Sequence, residues 1–249
     1  MDSSNLSIPL YNRISFAMNN SKREDDILHG GLYSLNLNFD PLLQNGPQCG
    51  IVALVNGFRL LGHDRFSVEG VFLAAKECEF SNNGEMFSPF WLADLANIVC
   101  ESIRAEVIEF PNTVHLLEIA ICNSMAILIP YDCEKNGEPG IFHGHKAHWC
   151  LIIGCLVVSA QFKGLQESKA VQYDESHCDA FVFGLQGKSR FLLYPGVWNV
   201  SALRQSNAQL RELGSARLTD ELEYRLPANG VTELCGKCVL LRLRTSIVS

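Results

Sequence analysis

Apolar positions recur at helical spacing from Cys49 onward: Val52, Leu54, Val55, Phe58, Leu60 and Leu61 precede the Gly62 that ends the run. Ser67 stands where an N-cap would, ahead of a second helix from Val68 to Glu77. The cluster Ser81-Asn82-Asn83-Gly84 then reads as a turn, and Ser88-Pro89 as an N-cap with proline at the first helical position. That proline opens a third helix through Trp91, Leu92, Leu95, Ala96 and Val99. A short strand from Ala105 to Phe110 leads to Asn112-Thr113, the cap of a fourth helix from Val114 to Cys122. From Ala126 the pattern changes to strands: Ala126–Pro130, Trp149–Val158, Ala180–Leu185, and Arg190–Tyr194 after the turn Gly187-Lys188-Ser189, with Cys238–Leu243 closing the sheet. Tyr131 to Lys146 reads as a long polar loop, 159–179 as a surface excursion, and Val197 to Leu213 as helical. Helices first and an antiparallel sheet after is an α+β order. Residues 1–40 are weakly patterned, with the charged cluster Lys22-Arg23-Glu24-Asp25-Asp26, and are expected to form a flexible or loosely docked lead-in to a single domain over 41–249.

Composition narrows the function classes. A 249-residue chain with 47% hydrophobic and 19% charged residues can bury a large core. A net charge of −7 without any Lys/Arg stripe argues against nucleic acid as a partner. The most apolar runs, Met125–Pro130 and Leu151–Val158, are far too short to span a membrane, and no secretory leader is visible, so no membrane partner is expected. Ten scattered cysteines in such a chain read as reduced thiols, which implies a cytoplasmic location.

The candidate chemistry centres on Cys49. The turn former Asn45-Gly46-Pro47 delivers Cys49-Gly50 to a helix N-terminus, where unpaired N–H groups and the helix dipole lower a thiol's pKa. A thiol nucleophile needs a base, and His148 stands at the mouth of the strand that begins at Trp149. It also needs an oxyanion donor. Gln44, on the approach loop, is the candidate, and Gln48 is a nearer rival whose side chain is expected to point away. If the strands 149–157 and 180–186 pair as a hairpin, Gln186 returns to the level of His148 and becomes the candidate orienting residue, with Asp179 at the opposite end. His143, His145, His148 and Cys150 have a spacing similar to a zinc cluster. The upstream pair sits on a glycine loop, however, and no carboxylate or second cysteine pair stands at a zinc spacing, so neither a metal nor a cofactor is expected. Cys235 and Cys238 form half of a zinc knuckle and are expected to be ordinary thiols.

The segment Gly46-Pro47-Gln48-Cys49-Gly50-Ile51-Val52-Ala53-Leu54 resembles the nucleophile segment of the actin maturation proteases, or actin aminopeptidases. These are papain-like cysteine peptidases related to the bacteriocin-leader peptidases. Gly84-Glu85-Met86-Phe87, the block from Pro130-Tyr131-Asp132 to His148-Trp149, and Gln186-Gly187-Lys188-Ser189 resemble the same family, so the likeness runs from about 42 to 213. The resemblance implies a papain-like fold and removal of the N-acetylated first residue, Met or Cys, from immature actin, with Cys49 as nucleophile and His148 as general base. The acidic residue exposed by cleavage would meet a basic group, Lys146 or Lys188. Family members often carry a proline-rich N-terminal tail suited to profilin. Residues 1–40 hold one proline, Pro9, which weakens the case for profilin as a partner. Two other classes stay open on the residues alone: a papain-like hydrolase of another isopeptide or thioester, and a non-catalytic, zinc-binding module.

Overall fold

The computed structural model describes residues 7–21, 30–170, 172–187 and 195–244. The helices expected from the apolar periodicity are present as α2 (Cys49–Leu60), α3 (Val68–Glu77), α4 (Pro89–Val99) and α5 (Thr113–Ile121). Their caps follow the sequence: Ser67 accepts from the Gly70 N–H, Ser88 from Trp91 and Asn112 from His115. A further helix, α1 (Ile8–Asn19), and a strand, β1 (Gly30–Leu35), lie within the stretch expected to be a loose lead-in. That expectation is corrected. α1 buries Leu10, Ile14 and Ala17 at helical spacing, and β1 pairs antiparallel with the longest strand of the sheet.

That strand is β5 (Ala147–Ser159), and the sheet is organised around it. β3 (Met125–Cys133) pairs with the first half of one edge and β1 with the second half, while β7 (Asp179–Leu185) runs along the other edge. Beyond β3 lie β9 (Lys237–Leu243) and β2 (Ile103–Glu109); beyond β7 lies β8 (Gly196–Asn199). Two short strands complete the set, β4 (Pro139–Gly140) on β3 and β6 (Leu165–Glu167), which pairs with β1 in the only parallel contact among the described strands. The class is α+β, with helices packed on an antiparallel sheet, but β1 and β2 come from the N-terminal half, so the sheet is not confined to the C-terminal half.

Both faces of the sheet are covered. α1 to α4 pack against Leu128, Trp149, Leu151, Ile153, Phe183 and Leu241 on one face. α5 and α6 (Val200–Asn207) cover Ile127, Tyr131, Cys150, Ile152, Val182 and Leu240 on the other. A strand buried on both faces loses polar alternation, which explains the unbroken apolar run from Leu151 to Val158. The segment Val197–Leu213, expected to be one helix, instead splits into β8 and α6. Asn199 caps the helix, accepting from Ser201 (2.9 Å) and Ala202 (3.4 Å), and Trp198 packs into space that Gly184 leaves open, where a Cβ would lie 1.9 Å from its ring. The loop expected at Tyr131–Lys146 is shorter, because β3 extends to Cys133. The cluster 22–26, Lys188 and the expected strand Arg190–Tyr194 lie outside the described residues. No helix among the described residues is long and apolar enough to cross a membrane.

The register of β5 against β7 slips between Ile152 and Cys155, a bulge at which Gly154 faces β1. A Cβ on Gly154 would stand 2.1 Å from the Ser34 carbonyl oxygen, too close for β1 to stay paired. Gly154→Ala should therefore lower stability by about 1–3 kcal/mol, the usual cost of forcing extra volume into a packed site. Chemical denaturation would show this as a lower midpoint, and an unchanged midpoint would contradict the tight β1–β5 contact.

Candidate active site

Gly46 adopts a φ of +73°, a left-handed conformation that glycine takes without strain, and it bends the approach chain into α2. Gln48 precedes the helix without a side-chain cap. Its side chain lies instead over Gly84, where a Cβ would be 2.4 Å from Gln48 Cγ. The Val52 N–H is the first to bond back along the helix, to the Gln48 carbonyl at 2.9 Å. The N–H groups of Cys49, Gly50 and Ile51 thus precede the helical ladder. Gly50 allows the close approach that follows: a Cβ there would sit 2.7 Å from Met86 Cβ and 3.1 Å from Trp149 Cδ1. Trp149 locks the contact by donating its indole N–H to the Met86 carbonyl (2.8 Å).

One residue before Trp149, His148 is buried opposite Tyr131 in the β3–β5 register, with the two rings edge to face at 6.0 Å. Its ring stands beside the Cys49 thiol, close enough for its charge and hydrogen bonding to lower the thiol's pKa. The other ring contact is to the main chain, His148 Nε2 to the Gln186 carbonyl at 3.0 Å. A carbonyl can only accept, so this bond assigns a proton to Nε2 and leaves Nδ1 as the nitrogen that can take a proton from the thiol.

Burial alone would push the Cys49 thiol up. The charge of His148 and its hydrogen bond, then the Arg217 guanidinium and the Trp149 N–H, more than offset this and lower the pKa to about 7. Cys150, wholly buried in β5, lacks such neighbours: burial, then Cys238 and Cys133, drives it well above the usual thiol value. Burial likewise carries Cys155 up to about 12.

Gln44 lines a hollow with Cys49 and His148, and its buried Oε1 has no partner among the described residues. Its backbone N–H donates to the Gly187 carbonyl at 2.7 Å. Gln186 does reach the level of His148, as the hairpin argument expects, but through its main-chain oxygen. Its side-chain Nε2 turns away to the Gly137 carbonyl (2.8 Å). Two successive carbonyls, those of Gln186 and Gly187, therefore hold His148 and Gln44. Asp179, at the far end of β7, contributes nothing to this cluster.

Two residues here escape sequence reasoning. Asp132 is fully buried in β3 and gathers the loop that feeds β5. It accepts from the N–H groups of Phe142 (2.9 Å), Gly144 (2.8 Å) and Lys146 (2.9 Å) and from Gln209 Nε2 (2.6 Å). A buried carboxylate persists only with such partners, and these fix the backbone just ahead of His148. Arg217 comes from the five-residue helix α7 (Ser215–Thr219), with its guanidinium 4.8 Å from the Phe87 ring centre and 5.9 Å from that of Tyr224. No periodicity or spacing in the sequence marks either residue.

The remaining histidines have other partners. His145 Nε2 pairs with Glu212 at 2.8 Å, and the His143 carbonyl accepts from Arg211 and Glu212. Cys235 donates to the Ala208 carbonyl (2.9 Å), whereas Cys238 is buried in β9. Among the described residues, no three His, Cys, Asp or Glu side chains converge as metal ligands would.

Two hollows share Pro47, Cys49, Ala147, His148 and Arg217. One, of about 10 Å³, is a narrow slot that also touches Glu85, Met86, Phe87, Trp149 and Leu234. The other, of about 290 Å³, extends to Gln44, Lys135 and Lys146.

The model of the actin maturation protease-like C-terminal domain matches residues 39–156, which contain both Cys49 and His148. A protein from Danio rerio named actin maturation protease is 35% identical over 227 residues, covering 82% of this chain and 72% of that protein. The chain belongs to the actin maturation protease family. The Mus musculus actin maturation protease is 34% identical, over 80% of this chain and 61% of its own length. The Drosophila melanogaster actin maturation protease is 29% identical, over 86% and 71%. The chain thus spans between 61% and 72% of the length of these family members. A solved C39-like peptidase from Bacillus anthracis aligns with a TM-score of 0.45 at 12% identity, over 85% of this chain and 98% of that one.

The depressed thiol sets an expected labelling profile. Alkylation by iodoacetamide follows the thiolate fraction, so Cys49 labelling should rise with pH through an inflection near 7. Cys150, Cys155 and Cys238, raised by burial, should remain unlabelled below pH 9. His148→Ala should move the Cys49 inflection upward, since burial is then offset by less. Peptide mass spectrometry across a pH series would check this, and a wild-type inflection near 9 would contradict it.

Proposed function

We propose that this chain, a cysteine peptidase of the actin maturation protease family, removes the N-acetylated first residue, Met or Cys, from immature actin in the cytoplasm. The observation that carries the reading is the Cys49 thiol, lowered to about 7 at an uncapped helix start beside an imidazole held by the main chain. The names of the relatives supply the substrate.

In this reading the Cys49 thiol gives its proton to His148 Nδ1, forming the attacking thiolate. The thiolate attacks the carbonyl carbon of the acetylated residue, forming a C–S bond and an oxyanion. The Cys49 backbone N–H and the Gln44 side-chain amide stabilise that oxygen. His148 Nδ1 then gives its proton to the departing amine as the C–N bond breaks, leaving a thioester on Cys49. His148 next takes a proton from water, whose oxygen attacks the thioester. The acetylated amino acid leaves and the thiol is restored. Gln186 acts through its carbonyl, fixing the ring in one orientation throughout. The Met86–Phe87 slot flanks Cys49 on the side assigned to the acetylated residue.

Cleavage of an acetyl-Met-Asp actin peptide, followed by mass spectrometry of its N-terminus, tests the proposal. Cys49→Ala should abolish cleavage. His148→Ala should slow it by roughly 10²–10⁴-fold and Gln44→Ala by roughly 10²–10³-fold, the usual losses for a general base and an oxyanion donor. Undiminished cleavage by Cys49→Ala would sink the reading.

A further inference from the structure

The larger hollow beside Cys49 has a charge at odds with the rest of the chain. The protein carries a net charge of −7, yet this hollow is lined by Lys135, Lys146 and Arg217 and, among its described residues, by no carboxylate. None of the three cations takes part in an ion pair among the described residues. Two are held by aromatic faces instead: Arg217 over Phe87 and Tyr224, and Lys146 with Nζ 3.6 Å from the Phe142 ring centre. Such contacts position a cation without neutralising it. Arg217 also reaches the Ala147 carbonyl at 3.5 Å, so its guanidinium spans the junction of the two hollows. Three uncompensated cations that converge on one concavity repel one another, and an anionic ligand relieves that repulsion.

The direction of the substrate follows from the contrast between the two hollows that flank His148. His148 protonates the amine that leaves, so the departing chain begins at His148. Ala147, the first residue of β5, lines both hollows, whereas Lys146 just ahead of the strand lines only the larger one. The slot at Met86 and Phe87 is apolar in its terminal residues, and its one acid, Glu85, is occupied by the N–H groups of Asn82 (3.0 Å), Asn83 (2.7 Å) and Arg225 (2.8 Å). The two hollows thus differ in chemistry on either flank of the thiol.

We propose that the larger hollow is a subsite for carboxylate side chains on the residues that follow the cleaved bond. Arg217 takes the first acidic residue, and Lys146 and Lys135 take those after it. This assignment rests on the peptidase reading above and adds the source of its charge specificity. Single exposed ion pairs change affinity only a few-fold, but three around one hollow should separate acidic from neutral peptides by about 10- to 100-fold, with the difference shrinking as salt rises.

The test separates binding from cleavage. Fluorescein-labelled acetyl-Met-Asp-Glu-Asp and acetyl-Met-Asn-Gln-Asn peptides are titrated with the Cys49→Ala protein and followed by anisotropy at low and high salt. The acidic peptide should bind about tenfold or more tighter at low salt. The double variant Lys135→Glu/Lys146→Glu in the same background should lose that preference and favour acetyl-Met-Lys-Lys-Lys. Should its thermal melt show unfolding, the single changes Lys135→Met and Lys146→Met should each reduce the preference. Equal affinities for the acidic and neutral peptides, including none measurable for either, would overturn the subsite. In the active protein the preference should appear in KM more than in kcat. Cleavage of both peptides with equal kcat/KM would overturn the subsite and leave the peptidase reading standing. Cleavage of neither would sink the peptidase reading, with the anisotropy comparison still deciding the subsite.

Discussion

The close contact between the start of α2 and β5 is the constraint on which the candidate site depends. It exists because position 50 has no side chain, so Met86 and Trp149 can close on the helix backbone. Cys49 precedes that glycine and His148 precedes that tryptophan, so one packing contact fixes the separation of thiol and imidazole. Even a methyl group at position 50 would meet Met86 Cβ at 2.7 Å and Trp149 Cδ1 at 3.1 Å, and would push the helix away from both. Core packing and site geometry are here the same fact.

Burial cannot account for a reactive thiol, since burial disfavours the thiolate. Cys49 and Cys150 share that penalty and differ in company. The first has His148, Arg217 and a backbone N–H directed at sulfur, whereas the second has other thiols and one carbonyl. Selectivity among ten cysteines is therefore a property of neighbours brought from distant segments. Asp132 follows the same logic with the opposite charge: a carboxylate inside the protein is tolerated because four donors converge on it, and those donors shape the chain that enters β5.

Features written in local chemistry were legible in the sequence. The caps at Ser67, Ser88 and Asn112, the turn ahead of Cys49 and the α+β order all depend on residues a few positions apart, and the family likeness added the substrate proposed for the site. The partner of His148 was half legible. Pairing of the two strands brings Gln186 to the right position, but a sequence displays side chains, and the contact is made by a carbonyl. α1 carried a readable signal in the spacing of Leu10, Ile14 and Ala17 after Ser7-Ile8-Pro9, obscured by the polar residues around it. β8 was hidden because Trp198 suits a helix as well as a strand until Gly184 and Gly196 are placed beneath it. Arg217 gave no sign and Asp132 showed only as part of the family-like block, since the role of each arises only when segments far apart in the chain meet.

The two carbonyls at the end of β7 separate where the site is chemically active from where it is genetically vulnerable. The bond to His148 belongs to the peptide unit at Gln186, which every amino acid possesses, so replacing that side chain leaves the bond's acceptor in place and disturbs only the tie to Gly137. The restriction falls one residue later. Gly187 has a φ of +61°, and a Cβ there would stand 2.8 Å from Val52 Cγ1 on α2, so any side chain at that position would displace both carbonyls together. A survey of substitutions would find position 187 intolerant and position 186 permissive, the reverse of what the hydrogen bond to the imidazole suggests.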